Sequence, residues 1–370
     1  MQNKVENVLK NGYNILFFLI LVFRILLSDA IQLNYEFVNT ICKYGFIAVS
    51  SLMSICLIHK IIEYKFTYKQ IYVLMIVFIV SMVGIIAKNT RILFMCFVVI
   101  ISFFINTRRI MNVYFASSIF MLLFIFLSQN IGLINEINKN TEGFFLFMTS
   151  IFLFFRMQTK NIKATFLLRW LCLLLGIYLE YLIHDRTAEY LLLFFAIIYL
   201  FKLLQRKNAI IKSMIVVLPI ILTVLSIYLA KNYSNYSWIS TTLNNALSYR
   251  ISIWNNLWNF YKVNLLPQDI MQYSYGFSFV MNTNISATDG FFAIGILEYG
   301  AIVYFVYIAA ICIFLVKYYL RDNENPELIY CVILLILYGF TETIIDNGYL
   351  CFVIPISFSY LARMSLISRR

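Results

Sequence analysis

SMIVVLPIILTVLSIYLA, residues 213–230, runs directly into KNYSNYSWISTTLNNALSYR, residues 231–250. The first stretch carries no charge. As a helix rising 1.5 Å per residue it is about 27 Å long, close to the ~30 Å hydrocarbon thickness of a bilayer. The second stretch, rich in Asn, Ser, Thr and Tyr, is too polar to sit in lipid. Such a junction, a span feeding a long polar segment, marks an all-α polytopic integral membrane protein with one large loop. Composition agrees with it. Of the 370 residues 62% are hydrophobic and 12% charged, against roughly 45–50% and about 25% in a soluble domain. Water leaves no place for so much apolar surface, whereas lipid surrounds apolar helix faces without penalty.

Working outward in both directions, spans are read near 12–30, 37–58, 71–87, 92–106, 110–128, 143–157, 166–183, 188–204, 213–230, 289–316, 328–345 and 348–366, about twelve in a single membrane domain, 1–370. The 92–106 and 143–157 stretches are short, and 71–106 has a second reading as a re-entrant hairpin. No small-residue cleavage site follows the first span, so it is read as permanent and not as a secretory signal. With both termini inside, most of the 29 Lys and Arg residues fall in inside segments, as the positive-inside bias requires. The net charge of +12 is therefore mostly a topology signal. A nucleic-acid binder would need a basic face clustered on a soluble module, and none is visible. The seven cysteines all lie in apolar stretches and read as small buried hydrophobes, without disulfide or metal role. With two histidines and no Cys-x-x-Cys, neither a zinc or iron site nor any cofactor is expected.

The large loop, 231–288, lies between the ninth and tenth spans and is extracytoplasmic in this orientation. Within it Leu247, Ile251, Trp254, Trp258, Tyr261 and Leu265 recur at three- and four-residue spacing, opposite Asn255, Asn256 and Asn259. That pattern predicts an amphipathic helix lying flat at the membrane interface, where Trp and Tyr are favoured. Pro267 ends it, and Thr288 or Asp289 offers an N-cap for the next span.

Polar groups gather at the outer mouth: Lys88 and Arg91; His184, Asp185, Arg186 and Glu189; Asp346 and Asn347; and, from the loop, Arg250, Lys262, Asp269 and Asp289. Each has a bland reading beside a functional one. Arg250 is a snorkelling surface anchor or, sharing a helix face with Trp254, a ligand for diphosphate, whose oxygens suit the planar guanidinium fork. Lys88 and Arg91 pin a short turn or face substrate, and Arg186 is an interface cation or a phosphate ligand. His184 is a solvated helix end or a base, and Asp289 is an N-cap or a base. Trp254 and Trp258 anchor in the interface or stack on sugar. Within spans, Arg24, Lys43, Glu180, Glu298 and Glu342 are costly charges that face a bundle interior or a wet cavity. Glu180 with His184, and Glu342 with Asp346, stand four residues apart and would line such a cavity, or else serve structural ion pairs such as one from Arg24 to a neighbouring Glu.

Several of these segments resemble one family. His184-Asp185-Arg186-Thr187-Ala188-Glu189-Tyr190, opening a long apolar span, is similar to the outer-mouth Arg-Thr segment of the O-antigen and capsule repeat-unit polymerases, the Wzy type. Tyr249-Arg250-Ile251-Ser252-Ile253-Trp254 resembles the Arg-x-x-x-Trp segment of that family's large outer loop. Thr288-Asp289-Gly290-Phe291-Phe292, followed by Leu297-Glu298-Tyr299-Gly300, resembles the stretch where those proteins and the related O-antigen ligases re-enter the membrane. Glu342 and Asn347 are similar to its acidic and amide positions near the last outer turn. The likeness covers roughly residues 180–350. The ligases rely on a loop His, and residues 231–288 contain none, which argues against a ligase.

The resemblance implies a metal-independent glycosyl transfer at the outer face of the bacterial plasma membrane. Oligosaccharide repeat units carried on undecaprenyl diphosphate are joined into capsule, exopolysaccharide or O-antigen. Membrane lipid surrounds the enzyme, and the flippase and chain-length regulator of the same pathway are its expected partners. Arg186, Arg250 and Arg91 would hold the diphosphate, Asp289 or His184 would act as base, and Trp254, Glu180, Glu342 and Asn347 would line the sugar site or cavity. Two rival classes are a lipid-linked oligosaccharide flippase, for which inner polar groups and an internal repeat would be expected, and a metal-dependent polyprenyl-sugar glycosyltransferase. The latter wants an acidic first outer loop. Asp29 and Glu36 flank that loop here, but it is short and has no Asp-x-Asp.

Overall fold

The protein's structure is a computed structural model that describes residues 2–28, 30–201, 209–234, 236–270, 289–319, 326–345 and 347–367. The fold is all-α apart from one short ribbon, with 80% of the chain helical. Each stretch read as a span contains a helix. The helices Glu36–Glu63, Tyr68–Ile86, Thr107–Asn130, Ile162–Ile183, Ile210–Lys231 and Gly300–Lys317 are long and apolar enough to cross a membrane by length and composition. Gly12–Leu26, Thr90–Phe103 and Pro326–Thr341 are shorter apolar helices. Large side chains such as Phe37, Ile62, Tyr72, Ile86, Leu174 and Leu175 stand exposed along them. Apolar surface on this scale belongs against lipid, and the protein is membrane-embedded.

The chain divides into two compact units. The first comprises residues 1–67 and 101–203 and holds α1 (Gln2–Leu26), α2 (Glu36–Glu63), α5 (Thr107–Asn130), α6 (Lys139–Arg156), α7 (Ile162–Ile183) and α8 (Arg186–Leu200). A two-stranded antiparallel ribbon, β1 (Ile31–Leu33) with β2 (Ile134–Ile137), pairs Ile31 with Ile137. Asparagine and aspartate side chains start its helices by accepting from free backbone N–H groups: Asn106 for α5, Asn138 for α6, Asn161 for α7 and Asp185 for α8. These are the residues expected at N-caps. Helix α5 packs against α1 and α6, α7 against α6 and α8. Aromatic edges fill the seams, as where Phe17 meets Tyr114 at 5.9 Å and Phe154 meets Tyr199 at 4.7 Å.

The second unit comprises residues 68–100 and 204–370. It holds α3 (Tyr68–Ile86), α4 (Thr90–Phe103), α9 (Ala209–Lys231), α10 (Trp238–Ala246), α11 (Arg250–Phe260), α12 (Phe291–Glu298), α13 (Gly300–Lys317), α14 (Pro326–Thr341) and α15 (Val353–Ile367). The 71–106 region is two helices joined by the turn at Ala87–Asn89, where Lys88 is left-handed at φ 52°. One expectation changes form. The stretch 289–316, read as a single span, is a helix broken at Tyr299–Gly300, with α12 before the break and α13 after it. Helix α12 is buried along its whole length, and α14 is buried at nearly every position, the mark of helices surrounded by others. Helix α9 packs against α11, α12, α13 and α14, and Thr223 and Tyr304 share a 2.7 Å hydroxyl hydrogen bond between α9 and α13.

Candidate functional site

The break at Tyr299–Gly300 follows from backbone geometry. Gly300 has φ +71°, and a Cβ there would run into the backbone of Leu266. Only glycine takes this conformation without strain. Interrupting a buried helix leaves carbonyls on one side and N–H groups on the other without intrahelical partners. The loop segment Asn264–Gln268 satisfies both sets. Gln268 donates its backbone N–H to the Glu298 carbonyl at 3.1 Å and its side-chain Nε2 to the Leu297 carbonyl at 2.9 Å. Across the break, Ala301 N–H donates to the Asn264 carbonyl at 2.8 Å and Ile302 N–H to the Leu265 carbonyl at 3.3 Å. The large loop is thus structurally part of the broken helix.

Helix α11 holds the other end of α12. The Trp254 indole N–H donates to the Asp289 carbonyl at 2.6 Å and the Trp258 indole to the Ala293 carbonyl at 2.8 Å. Two donors four residues apart match two acceptors four residues apart, so the helices are registered turn for turn. Trp254 is fully buried. Its ring covers Gly290, where a Cβ would lie 2.8 Å from it, and meets Phe340 edge-on at 5.7 Å. This corrects the expectation for Trp254: it is closed off from sugar and from lipid alike, and the packing face of α11 runs through Ile251, Trp254 and Leu257, whereas the predicted interfacial stripe ran on from Trp254 through Trp258, Tyr261 and Leu265. The opposite face is engaged as well, since Asn255 Nδ2 donates to the Ala230 carbonyl at the end of α9. The expected helix 247–265 is shorter, ending at Phe260, and a separate helix α10 precedes it.

This arrangement delivers Arg250 to the head of α12. Ser248 and Tyr249, both left-handed at φ 53° and 65°, turn the chain from α10 into α11, and Asn244 clamps the turn by accepting from Tyr249 N–H and Ser252 N–H. Backbone strain of this kind marks a place where side-chain direction matters. The Arg250 guanidinium ion-pairs with Glu342 and stands 3.6 Å from the Asp289 carboxylate. Side-chain exposure is 10% for Arg250, 4% for Glu342 and 20% for Asp289, so Asp289 is the member facing outward. Glu342 also receives the Phe291 N–H on its backbone carbonyl, tying the end of α14 to the start of α12. The Arg250 Nε has no acceptor among the described residues.

A second charge pair occupies the other end of α12, about 12 Å away along an eight-residue helix. Arg91, two residues into α4, donates to Glu298 at 3.0 Å, which places a cation where the helix dipole is negative. Glu298 therefore has Arg91 as its partner, while Arg24 donates to the Leu27 carbonyl. Beside this pair is a cavity of about 190 Å³ whose lining includes Lys88, Asn89, Arg91, Gln268, Asp269 and Glu298.

The remaining expected site residues lie as follows. Asn347 donates Nδ2 to the Thr343 carbonyl, and its own carbonyl accepts from Leu350 and Cys351 N–H; it shapes the turn after α14. His184, Arg186 and Glu180 belong to the first unit. His184 ends α7 in a left-handed conformation and is exposed, and Arg186 is the exposed first residue of α8. Thr288 and Asp346 fall outside the described residues. Gln268 carries structural weight that no motif announced, although Pro267-Gln268 is a breaker signal; Trp258 and Gly300 stood in segments already singled out, but for other roles. Compared with protein-family models, with curated proteins and with solved structures, the chain finds no match.

Proposed function

We propose that this protein polymerises oligosaccharide repeat units carried on undecaprenyl diphosphate, acting at the outer face of the bacterial plasma membrane. In this reading it spans the bilayer about twelve times, has both termini in the cytoplasm and exposes 231–288 outside, with a flippase and a chain-length regulator as pathway partners. The observation that carries the reading is the Asp289–Arg250–Glu342 constellation at the head of a buried, interrupted helix. Ionisable groups at membrane depth are retained where they handle polar substrate.

Glycosyl transfer from a lipid diphosphate makes three demands on a protein. An acceptor hydroxyl must lose its proton as its oxygen attacks the anomeric carbon. The bond from that carbon to the diphosphate oxygen must break, with its electron pair leaving on the phosphate. Both groups must be held in line. Asp289 suits the role of proton acceptor, because it is the most exposed member of the constellation and Arg250 fixes its orientation. Glu342 in turn fixes Arg250. Two carboxylates around one guanidinium leave a net negative charge, so Arg250 is first a positioning residue for Asp289. Arg91 and Lys88, lining the cavity at the other end of α12, supply further positive charge of the kind that stabilises a departing diphosphate.

Deletion of the gene, with analysis of the surface glycan, tests the proposal. Single repeat units accumulating on the outer side, with polymer restored by wild type but not by Asp289→Asn at equal membrane level, are expected. Units trapped on the inner side would indicate a flippase, and unchanged polymer would exclude the role.

A further inference from the structure

Glu180, in α7, takes no part in this chemistry. It is completely buried, at 0% exposure, and neither carboxyl oxygen has a hydrogen-bond partner among the described residues. Helix α7 buries only Leu173, Gly176 and Glu180 among its described side chains. Their three- and four-residue spacing makes one stripe, the seam that α7 forms with α6 and α8. The approach is close: a Cβ at Gly176 would run into the hydroxyl of Ser150, itself buried on α6.

Carboxylates stand at the helix ends around this seam. Those acting on Glu180 are Asp185 at the N-cap of α8, Glu142 in the first turn of α6 and Glu189 in the first turn of α8. Asp185 is committed to α8, accepting from Ala188 N–H at 3.2 Å. The basic groups on the same elements point elsewhere. Lys139, Lys163, His184 and Arg186 are exposed. Arg156 donates to Asn112, and Arg169 donates to the Met157 and Phe155 carbonyls. An ionised Glu180 would be a buried anion with no hydrogen-bond donor among the described residues, which costs far more than binding a proton. Nor do acidic, His and Cys side chains converge on a metal-binding geometry among the described residues.

We infer that Glu180 is a proton-binding site, and that its bound proton latches the α6–α7–α8 seam. Binding is a simple association of a proton from water with the carboxylate oxygen. Ionisation places a charge in a closed seam, so the seam must open to water to release the proton. The sign of the pH effect follows. The closed form keeps a proton that the open form, with an ordinary carboxyl titrating near pH 4.3, releases. Closure is therefore fully stable at acid pH, and the opening constant rises by up to tenfold per pH unit above that value. This inference is independent of the polymerase reading.

Infrared spectroscopy of the full-length protein in lipid nanodiscs tests it. At neutral pH the wild type should show the C=O stretch of a protonated carboxyl, shifted in D2O and missing from Glu180→Gln. At alkaline pH the band should disappear while α7 amides become up to tenfold more exchangeable per pH unit, after correction for intrinsic exchange. Glu180→Gln, which mimics the neutral acid, should flatten that dependence. If the variant fails to fold, wild type alone decides, since loss of the band together with loosening of α7 supports the latch. Absence of a protonated-carboxyl band at neutral pH overturns it, and so does a band that appears only when sodium is withdrawn, which would make this a metal-cation site.

Discussion

Replacing Arg250 by Met should destabilise the protein far more than replacing Arg250 and Glu342 together. Arg250 and Glu342 form an ion pair with side-chain exposures of 10% and 4%, so water screens neither. Arg250→Met leaves the Glu342 carboxylate buried without its cation. Breaking one side of such a pair costs about 3–5 kcal/mol. Asp289 adds little to this figure, because at 3.6 Å and 20% exposure it can hydrate when the guanidinium goes. In Arg250→Met/Glu342→Met both charges disappear and the space is refilled by apolar atoms, which is near neutral to within about 1 kcal/mol. Glu342→Met alone keeps Arg250 beside Asp289 and should cost an intermediate ~1–3 kcal/mol. A double-mutant cycle by reversible denaturant unfolding in mixed micelles reads the coupling, expected at about 3 kcal/mol or more. A cost below about 1 kcal/mol for Arg250→Met, or additive single-mutant effects, would show that the pair is not buried as described. The cycle also separates folding from function, since the double variant should fold normally and make no polymer.

Other perturbations follow from the same geometry. Gly300→Ala meets both a left-handed backbone, worth about 1–2 kcal/mol, and the Leu266 backbone, so unfolding of this variant should show a loss above ~2 kcal/mol. Gln268→Ala removes the side-chain bonds to the Leu297 and Lys262 carbonyls, and hydrogen exchange should rise at the α12–α13 break with a loss of about 1–3 kcal/mol. Tyr249→Gly relieves a left-handed residue whose side chain is exposed, and a melting curve should show unchanged or higher stability, by up to about 1 kcal/mol. Asp289→Asn should leave stability within about 1 kcal/mol while lowering the rate of glycosyl transfer by about 10²- to 10⁴-fold.

The positions of the helices were legible because a long apolar run has few alternatives in or out of lipid. The break at Tyr299–Gly300 was not, since hydropathy stays high across 289–316 and the decisive fact is a backbone angle fixed by Leu265 and Leu266 in a distant loop. The stripe of α11 was visible as a period, yet periodicity names a buried face without naming what covers it. Trp254 and Trp258 read as lipid anchors or sugar platforms because nothing local reveals that the Asp289 and Ala293 carbonyls await their indoles. Glu298 and Glu342 stood out as expensive charges, but their partners, Arg91 and Arg250, are far away in sequence. Arg250 and Asp289 were singled out as members of the outer polar cluster and again by resemblance, and the structure brings those two side chains to 3.6 Å.

The most direct measurement is reconstitution. Purified protein in nanodiscs, given undecaprenyl-diphosphate-linked repeat units and no other enzyme, should yield a ladder of products differing by one repeat unit, with undecaprenyl diphosphate released in step. The Asp289→Asn protein should form the ladder about 10²- to 10⁴-fold more slowly. Unextended single units with the folded wild-type protein, or a full ladder at the wild-type rate with Asp289→Asn, would contradict the assignment.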